Sequence, residues 1–343
     1  MKPFVILTAI LLFHISNLAQ QQNRWDLTSD GIVWNIKSGE SHSDHIEMSG
    51  KKVSTVVRYK VATNGSLELS RSVVWPLLRT IPNNTHASLT RRFSIDIPSL
   101  IIINGKNPVN EKVQSIAHNG LMTIISKFDP GIEIKRVLFP SYNLPAFCEL
   151  YSIKNISKKT LTVEIPEVKI VYQSLPEAGV EGSYFPTVKL YNSGTFKVEP
   201  EKEISFSVAF IGYKAGEEFS VDVNNELTER IKFIDIIKNQ LVFESPDEVL
   251  NQAFQFAKIR GSESIYETKG GFMHGPGGES YYAAIWANDQ AEYIGPFFPY
   301  LGYDIGNRAS LNAYKHFARF MNPDFKPIPS SIIAEGLDIW NGA

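Results

Sequence analysis

The sequence predicts a chain in two parts, an antiparallel β-sandwich followed by α-helices. Between residues 24 and 222, about a dozen segments alternate apolar and polar residues, as 203–210 does, and such alternation is typical of half-buried strands. Pairs such as Asn104-Gly105 separate the segments and favour tight hairpin turns. From 225 to 241 the apolar residues instead recur at helical spacing. So many strands bury their apolar faces best in two stacked sheets.

Two features of the β region could carry chemistry, and both have a simpler interpretation. Cys148 is the only cysteine and lies in an alternating segment, which predicts a small core residue rather than a nucleophile. His42 and His45 lie close to two acids, Asp44 and Glu47, but glycine and serine surround them. This composition predicts a polar surface loop rather than a metal site.

Four helices are predicted after the sandwich. The first, over 225–241, is expected to pack through Leu227, Ile231, Ile234, Ile237 and Leu241. The second has Ser245 as its N-cap, Pro246 in its first turn and Glu248 closing a capping box. Its buried apolar stripe is expected to run from Val249 and Leu250 to Ala257, and Gly261 is expected to end the helix. The third begins at Asp289. The fourth covers 307–321, and its largely apolar surface is expected to be covered by neighbours on several sides through Leu311, Tyr314, Phe317, Ala318 and Met321.

Residues 1–19 have the pattern of a secretory signal peptide. Lys2 supplies the positive start, 4–13 is an apolar run too short to span a bilayer, and small residues precede Gln20. We therefore expect a secreted or periplasmic protein that is free of the membrane after cleavage of the signal.

The overall composition argues against charged partners. The chain has 34 basic and 36 acidic residues, and its basic runs are no longer than pairs. Nothing in this pattern would hold a nucleic acid or an anionic membrane by charge. The 21 Phe, 14 Tyr and 5 Trp residues predict a well-filled core with some aromatic side chains left for a binding cleft.

The stretch 270–293 is the strongest functional signal. Glycines and a proline set a loop, and aromatic residues, carboxylates, a histidine and carboxamides follow it. Aromatic faces and hydrogen-bonding side chains of this kind suit a neutral, hydroxyl-rich sugar. A structural interpretation stands beside this one, because Asp289 and Glu292 also match a capping box at a helix start.

Within this stretch, Trp286-Ala-Asn-Asp289 resembles the Trp-x-Arg-Asp motif of the six-hairpin, (α/α)6-toroid glycosidases. That superfamily includes glucoamylases, rhamnosidase-like enzymes, trehalases and processing glucosidases, many with a β-sandwich ahead of the toroid. The resemblance implies that Trp286 lines a sugar subsite and that Asp289 holds the sugar or acts as general acid. Asn288 stands where the family has arginine, so contacts of that arginine do not carry over.

The resemblance also sets the expected domain organisation. The signal peptide at 1–19 would precede a sandwich domain at 20–222, a linker helix at 223–244 and a partial toroid at 245–343. A toroid of six helical hairpins needs more helices than the three predicted after the linker. We therefore expect the chain to be truncated within the toroid.

Cleaving a glycosidic bond requires one carboxyl group as acid and a second as base or nucleophile. Asp289 and Glu335 are the best pair, because successive hairpins of a toroid bring their loops to one rim, and most enzymes of the superfamily invert. The base could also lie beyond Ala343. No metal and no cofactor is expected. The other candidates are substrate-binding residues: Trp286, Asn288, Gln290, Glu292, His274, Glu279, Tyr281 and Trp340.

Two other functions remain open. A polysaccharide lyase would need a tyrosine or histidine base and a cationic or metal clamp on a uronate, and the few Arg and Lys residues near the glycine-rich loop argue against it. A carbohydrate-binding or scaffold protein without turnover is the alternative outside the enzymes. The oligomeric state cannot be predicted from the sequence.

Overall fold

A computed structural model describes residues 24–80, 87–275 and 284–333. In these residues the chain is built of strands as far as Lys214 and mainly of helices afterwards, with pairs of short strands as well. The predicted order, β first and α second, is therefore confirmed.

Antiparallel strands build the first part of the chain. The strands are β1 (Asp26–Leu27), β2 (Ile32–Asn35), β3 (His42–Ser49), β4 (Ser54–Val61), β5 (Leu67–Thr80), β6 (Ala87–Phe93), β7 (Ile102–Ile103), β8 (Val109–His118), β9 (Met122–Asp129), β10 (Ile132–Pro140), β11 (Ala146–Asn155), β12 (Leu161–Ile165), β13 (Lys169–Val171), β14 (Tyr184–Tyr191), β15 (Gly194–Val198) and β16 (Glu203–Lys214). Nine of them form one sheet in the order β1-β2-β8-β9-β10-β11-β16-β14-β13. A second sheet has the order β3-β4-β5-β6, and a third has the order β15-β12-β7.

The sheets share one apolar core, as in a β-sandwich. Side chains from all three sheets, among them Trp75, Phe147 and Val163, belong to a single buried cluster. Gly212 of β16 allows close packing against Trp75, because a Cβ atom there would lie 2.6 Å from the indole. Cys148 is fully buried on the opposite face of β11, as expected of a small core residue. Each large apolar side chain buried in this way contributes about 1.5–3 kcal/mol.

A buried ion pair ties two sheets together inside the sandwich. Arg71 of β5 donates from Nη2 to Glu149 Oε2 of β11 at 2.8 Å and from Nη1 to the Ile95 carbonyl at 3.0 Å. The Tyr151 hydroxyl donates to the same carboxylate at 2.6 Å. Both ionic side chains are almost completely buried, so each depends on the other for its solvation.

The segment with His42 and His45 is a strand, not the expected surface loop. It forms β3, the edge strand of the second sheet, and His42 pairs with Val61 of β4. Pairing with β4 supplies backbone hydrogen bonds whatever the side chains are, and polar side chains suit an edge strand that faces water.

Within the described residues, the second part contains four α-helices, one short β-hairpin and one further pair of short strands. The elements are α1 (Val223–Asn239), α2 (Glu248–Glu263), β17 (Ile265–Thr268), β18 (Gly271–His274), β19 (Ala284–Trp286), α3 (Ile294–Leu301), α4 (Asp304–Ala318) and β20 (Ser331–Ile333). A π-helical turn, Asp289–Tyr293, leads directly into α3. β17 pairs with β18 and β19 pairs with β20, both antiparallel. No helix in these described segments is long and apolar enough to cross a membrane.

Helix α1 packs through a face rotated from the predicted one, on which Ile234 and Ile237 are buried as predicted. Asp222 caps it, and the buried side chains include Glu226, Arg230 and Phe233, while Ile231 and Leu241 are exposed. The stripe is rotated because Arg230 reaches the sandwich, where it donates to the Ser49 carbonyl at 2.7 Å. The charge-assisted hydrogen bonds of Arg230 stabilise this orientation of the helix more than the burial of Ile231 would.

Helix α2 also differs from its prediction at both ends. Asp247, not Ser245, is the N-cap and accepts from the Val249 amide at 2.8 Å. Val249 and Leu250, expected in the buried stripe, are more than half exposed. The helix continues past Gly261 to Glu263, because Arg230 and Arg260 both bind the Glu263 carboxylate and hold the last turn.

Candidate active site

The hairpin of β17 and β18 brings His274 to the candidate site, and α4 holds this hairpin in place. Asn312 of α4 donates from Nδ2 to the carbonyls of Gly270 at 2.6 Å and Phe272 at 3.1 Å. Gly271 has φ +100°, and a Cβ atom there would lie 2.7 Å from the Asn312 amide. This contact requires a glycine and fixes the hairpin against the helix.

The paired strands β19 and β20 position the Trp286–Asp289 motif. Trp286 lies opposite Ser331, and the Ala287 amide donates to the Ser330 carbonyl at 2.8 Å, so the strand pairing continues to the first helical turn. Ile333, two residues before Glu335, pairs with Ala284. Residues 331–333 are therefore the hydrogen-bonded neighbours of the segment that leads to Asp289, and because the pairing is antiparallel the chain leaves it at the end opposite to Asp289.

Asp289 begins the π-helical turn and does not cap a helix. The Ile294 amide donates to the Asp289 carbonyl five residues back, and the preceding residue, Asn288, is already helical. The capping box expected from Asp289 and Glu292 is therefore wrong. The wide turn forms because the Tyr314 hydroxyl donates to the Gln290 carbonyl at 3.0 Å and takes that acceptor out of the regular helix.

The carboxyl group of Asp289 is in an unusual environment for an acid. Its side chain is partly buried, and among the described residues no group donates a hydrogen bond to it. Burial without a compensating partner raises the pKa of the Asp289 carboxyl above its ordinary value. A partly buried carboxyl group with a raised pKa is a candidate proton donor.

His274 and Gln290 lie together beneath this turn. Gln290 is buried and donates from Nε2 to the His274 carbonyl at 3.2 Å, while its Oε1 has no partner within the described segments. The His274 imidazole packs against Phe298, with ring centroids 6.3 Å apart. Burial, together with the positive charge of Arg260, lowers the pKa of His274 to about 4, so the ring is neutral at neutral pH.

The remaining sequence candidates fall into two groups. Asn288 and Glu292 are exposed beside Asp289, and Trp286 is half-buried. Four candidates, Glu279, Tyr281, Glu335 and Trp340, lie outside the described residues. In the part of the chain that the structure describes, no group of three or more His, Cys, Asp or Glu side chains is arranged to hold a metal ion.

Sequence reasoning missed the residues that support the site. Asn312, Tyr314 and His316 of α4 bind backbone carbonyls of the hairpin and of the π-helical turn. The helical period assigned Tyr314 to an apolar face, although its hydroxyl has the decisive contact. Asn312 and His316, which are four residues apart and so lie on one side of the helix, were the available signal.

The comparisons with known proteins bear on the fold. Neither a family model nor a curated protein matches the sequence. Among solved structures, the chain is similar to one described as "Putative kojibiose phosphorylase from human microbiome", with a TM-score of 0.52 and 9% sequence identity. The match covers 92% of this chain and 53% of that one, so this chain spans about half the length of that protein. The similarity includes both the sandwich and the helical region and is a similarity of fold.

Proposed function

We propose that this protein cleaves glycosidic bonds and that Asp289 is its general acid. The observation that carries the proposal is the Asp289 carboxyl group, which is partly desolvated, unpaired among the described residues and raised in pKa. A glycosidase needs a carboxyl group that is still protonated when the leaving oxygen departs. The fold similarity to a protein described as a sugar phosphorylase supports the same class of chemistry.

We assign the base to Glu335. In an inverting reaction this carboxylate takes a proton from water, the water oxygen bonds to the anomeric carbon, and Asp289 protonates the leaving oxygen as the glycosidic bond breaks. The two carboxyls of such enzymes lie about 6.5–9.5 Å apart. This assignment follows the resemblance to the toroid enzymes, because residue 335 lies outside the described residues.

The substrate in this proposal is a neutral oligo- or polysaccharide. The Trp286 indole offers a face for a sugar ring, and the exposed Asn288 and Glu292 offer hydrogen bonds to hydroxyl groups. The neutral His274 ring and the unpaired Gln290 Oε1 could bind further hydroxyls without bringing charge to the site. Residues 245–343 would form the first hairpins of a toroid, behind the sandwich of 20–222 and the helix of 223–244.

Phosphorolysis is the second candidate, because the solved structure of similar fold carries that description. In this reaction a phosphate oxygen replaces water at the anomeric carbon and the product is a glycosyl phosphate. Asp289 would again protonate the leaving oxygen, but phosphate would make a protein base unnecessary. The two candidates share the acid and differ in the nucleophile.

One assay separates these functions. The full chain is incubated with kojibiose, maltose, trehalose, a set of neutral polysaccharides and a polyuronate, with and without inorganic phosphate. New reducing ends without phosphate would establish hydrolysis, and a glycosyl phosphate formed only with phosphate would establish phosphorolysis. Absorbance near 235 nm from an unsaturated uronate would indicate a lyase instead, and binding without any product would contradict an enzyme.

We also propose that the protein acts after export, on the pattern of residues 1–19. N-terminal sequencing of the protein from its source tests this. A mature chain that begins at Gln20 supports export, and one that retains Met1 contradicts cleavage of a signal peptide.

A further inference from the structure

A second polar cavity lies in the sandwich, apart from the candidate active site. It has a volume of about 700 Å³ and is lined by β4, β5 and the segment after β6 on one side and by β8, β10 and β11 on the other. Its walls include Tyr59, Arg71, Arg92 and Arg136. The volume lies within the range of about 300–1,000 Å³ that is usual for small-molecule sites.

Tyr59 indicates that this cavity takes a ligand. Its side chain is only 3% exposed, yet its hydroxyl has no hydrogen-bond partner in the described part of the chain. Buried hydroxyl groups in proteins are nearly always paired, and each exception calls for a missing partner. A polar molecule in the cavity would supply that partner.

The charges around the cavity favour a neutral ligand over an anion. Arg136 donates to Glu111 at 2.7 Å and to Ser126 at 2.9 Å, and Arg71 is held by Glu149. At the rim, the Lys60 ammonium lies 2.6 Å from Glu68. Arg92 differs, since it donates to the Ser70 hydroxyl at 3.1 Å, but the wall also includes the carboxylates of Asp44 and Asp96. An anion would therefore compete with existing ion pairs and meet further carboxylates, whereas a sugar hydroxyl group can donate to a carboxylate and accept from a guanidinium group.

We propose that the sandwich cavity binds a segment of a neutral oligosaccharide, with the Tyr59 hydroxyl hydrogen-bonded to a sugar hydroxyl. This site is separate from Asp289 and performs no chemistry. It would hold a long substrate to the protein while another part of the same sugar chain is cleaved at Asp289. It goes beyond the proposed function and does not depend on it, because binding here needs no turnover.

The test measures binding to the full chain by calorimetric titration with maltohexaose, cellohexaose, xylohexaose and, as an anion, hexagalacturonate. All titrations use the Asp289→Asn background, so that no product forms. Tyr59→Phe is the informative variant, since it removes only the unpaired hydroxyl and leaves every hydrogen bond of the described structure in place. We expect at least one neutral oligosaccharide to bind and Tyr59→Phe to weaken it about three- to tenfold, with an unchanged or higher Tm.

Tyr213→Phe is a matched control, because its hydroxyl bonds Thr187 in another part of the sandwich and its loss should leave affinity unchanged. A second variant, Ser94→Trp, places bulk at the exposed rim of the cavity and should also abolish the binding. Equal affinity in the parent and in Tyr59→Phe would overturn the proposal. It would mean that the hydrogen-bond partner of the Tyr59 hydroxyl is an ordinary buried water. Preference for hexagalacturonate, or no binding by any of the four, would overturn it as well.

Discussion

The sandwich and the helical region cover their apolar side chains to different extents. Among the described residues, 14 of the 19 large apolar side chains that are exposed lie after residue 222, including Phe325 at 95% and Tyr300 at 77%. The sandwich instead gathers most of its core into one cluster between its sheets. The apolar side chains of a strand pack against those of the neighbouring strands, whereas the apolar face of a helix is buried only where another element packs against it.

Within the described residues, both regions contain buried polar groups without partners, such as the Tyr59 hydroxyl of the sandwich, but their carboxyl groups differ. In the sandwich, Arg71 and Glu149 satisfy each other, which stabilises one arrangement of the sheets. In the helical region, Asp289 has no such partner and Gln290 Oε1 and His274 Nδ1 are unpaired in the described residues. Polar groups without partners cost stability, and they are expected where a site is kept ready for a substrate.

The largest expected effect is on activity in the helical region. Asp289→Asn should lower kcat about 10²–10⁴-fold, because the amide cannot supply the proton to the leaving oxygen. Turnover of a neutral oligosaccharide measures it. Asp304→Asn is the control, since that acid is exposed at the start of α4 and should leave kcat as it is. Equal rates for the two variants would remove Asp289 from the chemistry.

The same variant should not weaken the fold. The raised pKa of Asp289 means that its charged form is disfavoured in the folded state. The negative charge therefore lowers the stability of the fold at pH values above the ordinary carboxyl pKa. This cost is removed as the pH falls through the raised pKa. Thermal unfolding of Asp289→Asn at pH 7 should give an unchanged or slightly higher Tm. A clear decrease would show that the carboxylate is a structural group.

The junction of the two regions should give a large effect on stability. Arg230 of α1 donates to the Ser49 and Gly120 carbonyls of the sandwich and binds Glu263 of α2. Arg230→Met leaves the buried Glu263 without one of its cations and should cost about 3–5 kcal/mol in chemical denaturation. Arg308→Met, at an exposed arginine, should cost at most about 1 kcal/mol. Equal costs would mean that the junction does not couple the regions.

The pH dependence of stability tests the junction a second time. His118 of the sandwich stacks on Phe256 of α2, with ring centroids 5.1 Å apart, and burial lowers the pKa of His118 to about 4. The unfolded chain binds the proton at about pH 6.5, so stability is full above that pH and is lost as the pH falls towards 4, by up to about 3 kcal/mol.

His118→Gln should reduce this loss in denaturant titrations between pH 7 and pH 4. His45→Gln changes an exposed imidazole and serves as the control. We expect this variant to keep the pH dependence of the unmodified protein. If His118→Gln keeps the full loss, another group is responsible for the acid sensitivity.

The smallest effect is expected at the exposed aromatic residues of the helical region. Tyr300 is 77% exposed, so Tyr300→Ser should change the free energy of unfolding by less than about 0.5 kcal/mol. Phe147→Ala in the sandwich core should cost about 3–5 kcal/mol. Similar costs at the two positions would contradict the difference in burial between the regions.

The sequence predicted the sandwich well because its signals are local. Alternation over 53–61 and 203–210 corresponds to β4 and β16, and Asn104-Gly105 forms a turn in which both residues have positive φ. Each of these features depends on neighbours a few residues away. The pairing of sheets followed from the need to cover one face of every strand.

The helices were predicted as elements, but their faces and ends were not. Leu311, Tyr314 and Met321 were expected to be buried and are exposed, because the hairpin of β17 and β18 covers the other side of α4. The N-cap of α2 moved from Ser245 to Asp247, since both positions carry a competent side chain. Such choices depend on residues distant in the sequence.

The candidate site shows the same division. The motif around Trp286 identified Asp289 as a position of interest, and its partly desolvated carboxyl agrees with a functional role. The π-helical turn that presents it depends on the Tyr314 hydroxyl, and the hairpin depends on Asn312, contacts across more than twenty and forty residues. No local pattern contains such contacts.

The most direct test of the central claim is a crystal structure of the full chain carrying Asp289→Asn with an uncleaved oligosaccharide bound. We predict that the side chain at position 289 lies about 2.6–3.2 Å from the glycosidic oxygen, with the sugar ring against Trp286. A sugar bound with its glycosidic oxygen beyond hydrogen-bonding reach of position 289, directly or through one water, would contradict the assignment of Asp289 as the general acid.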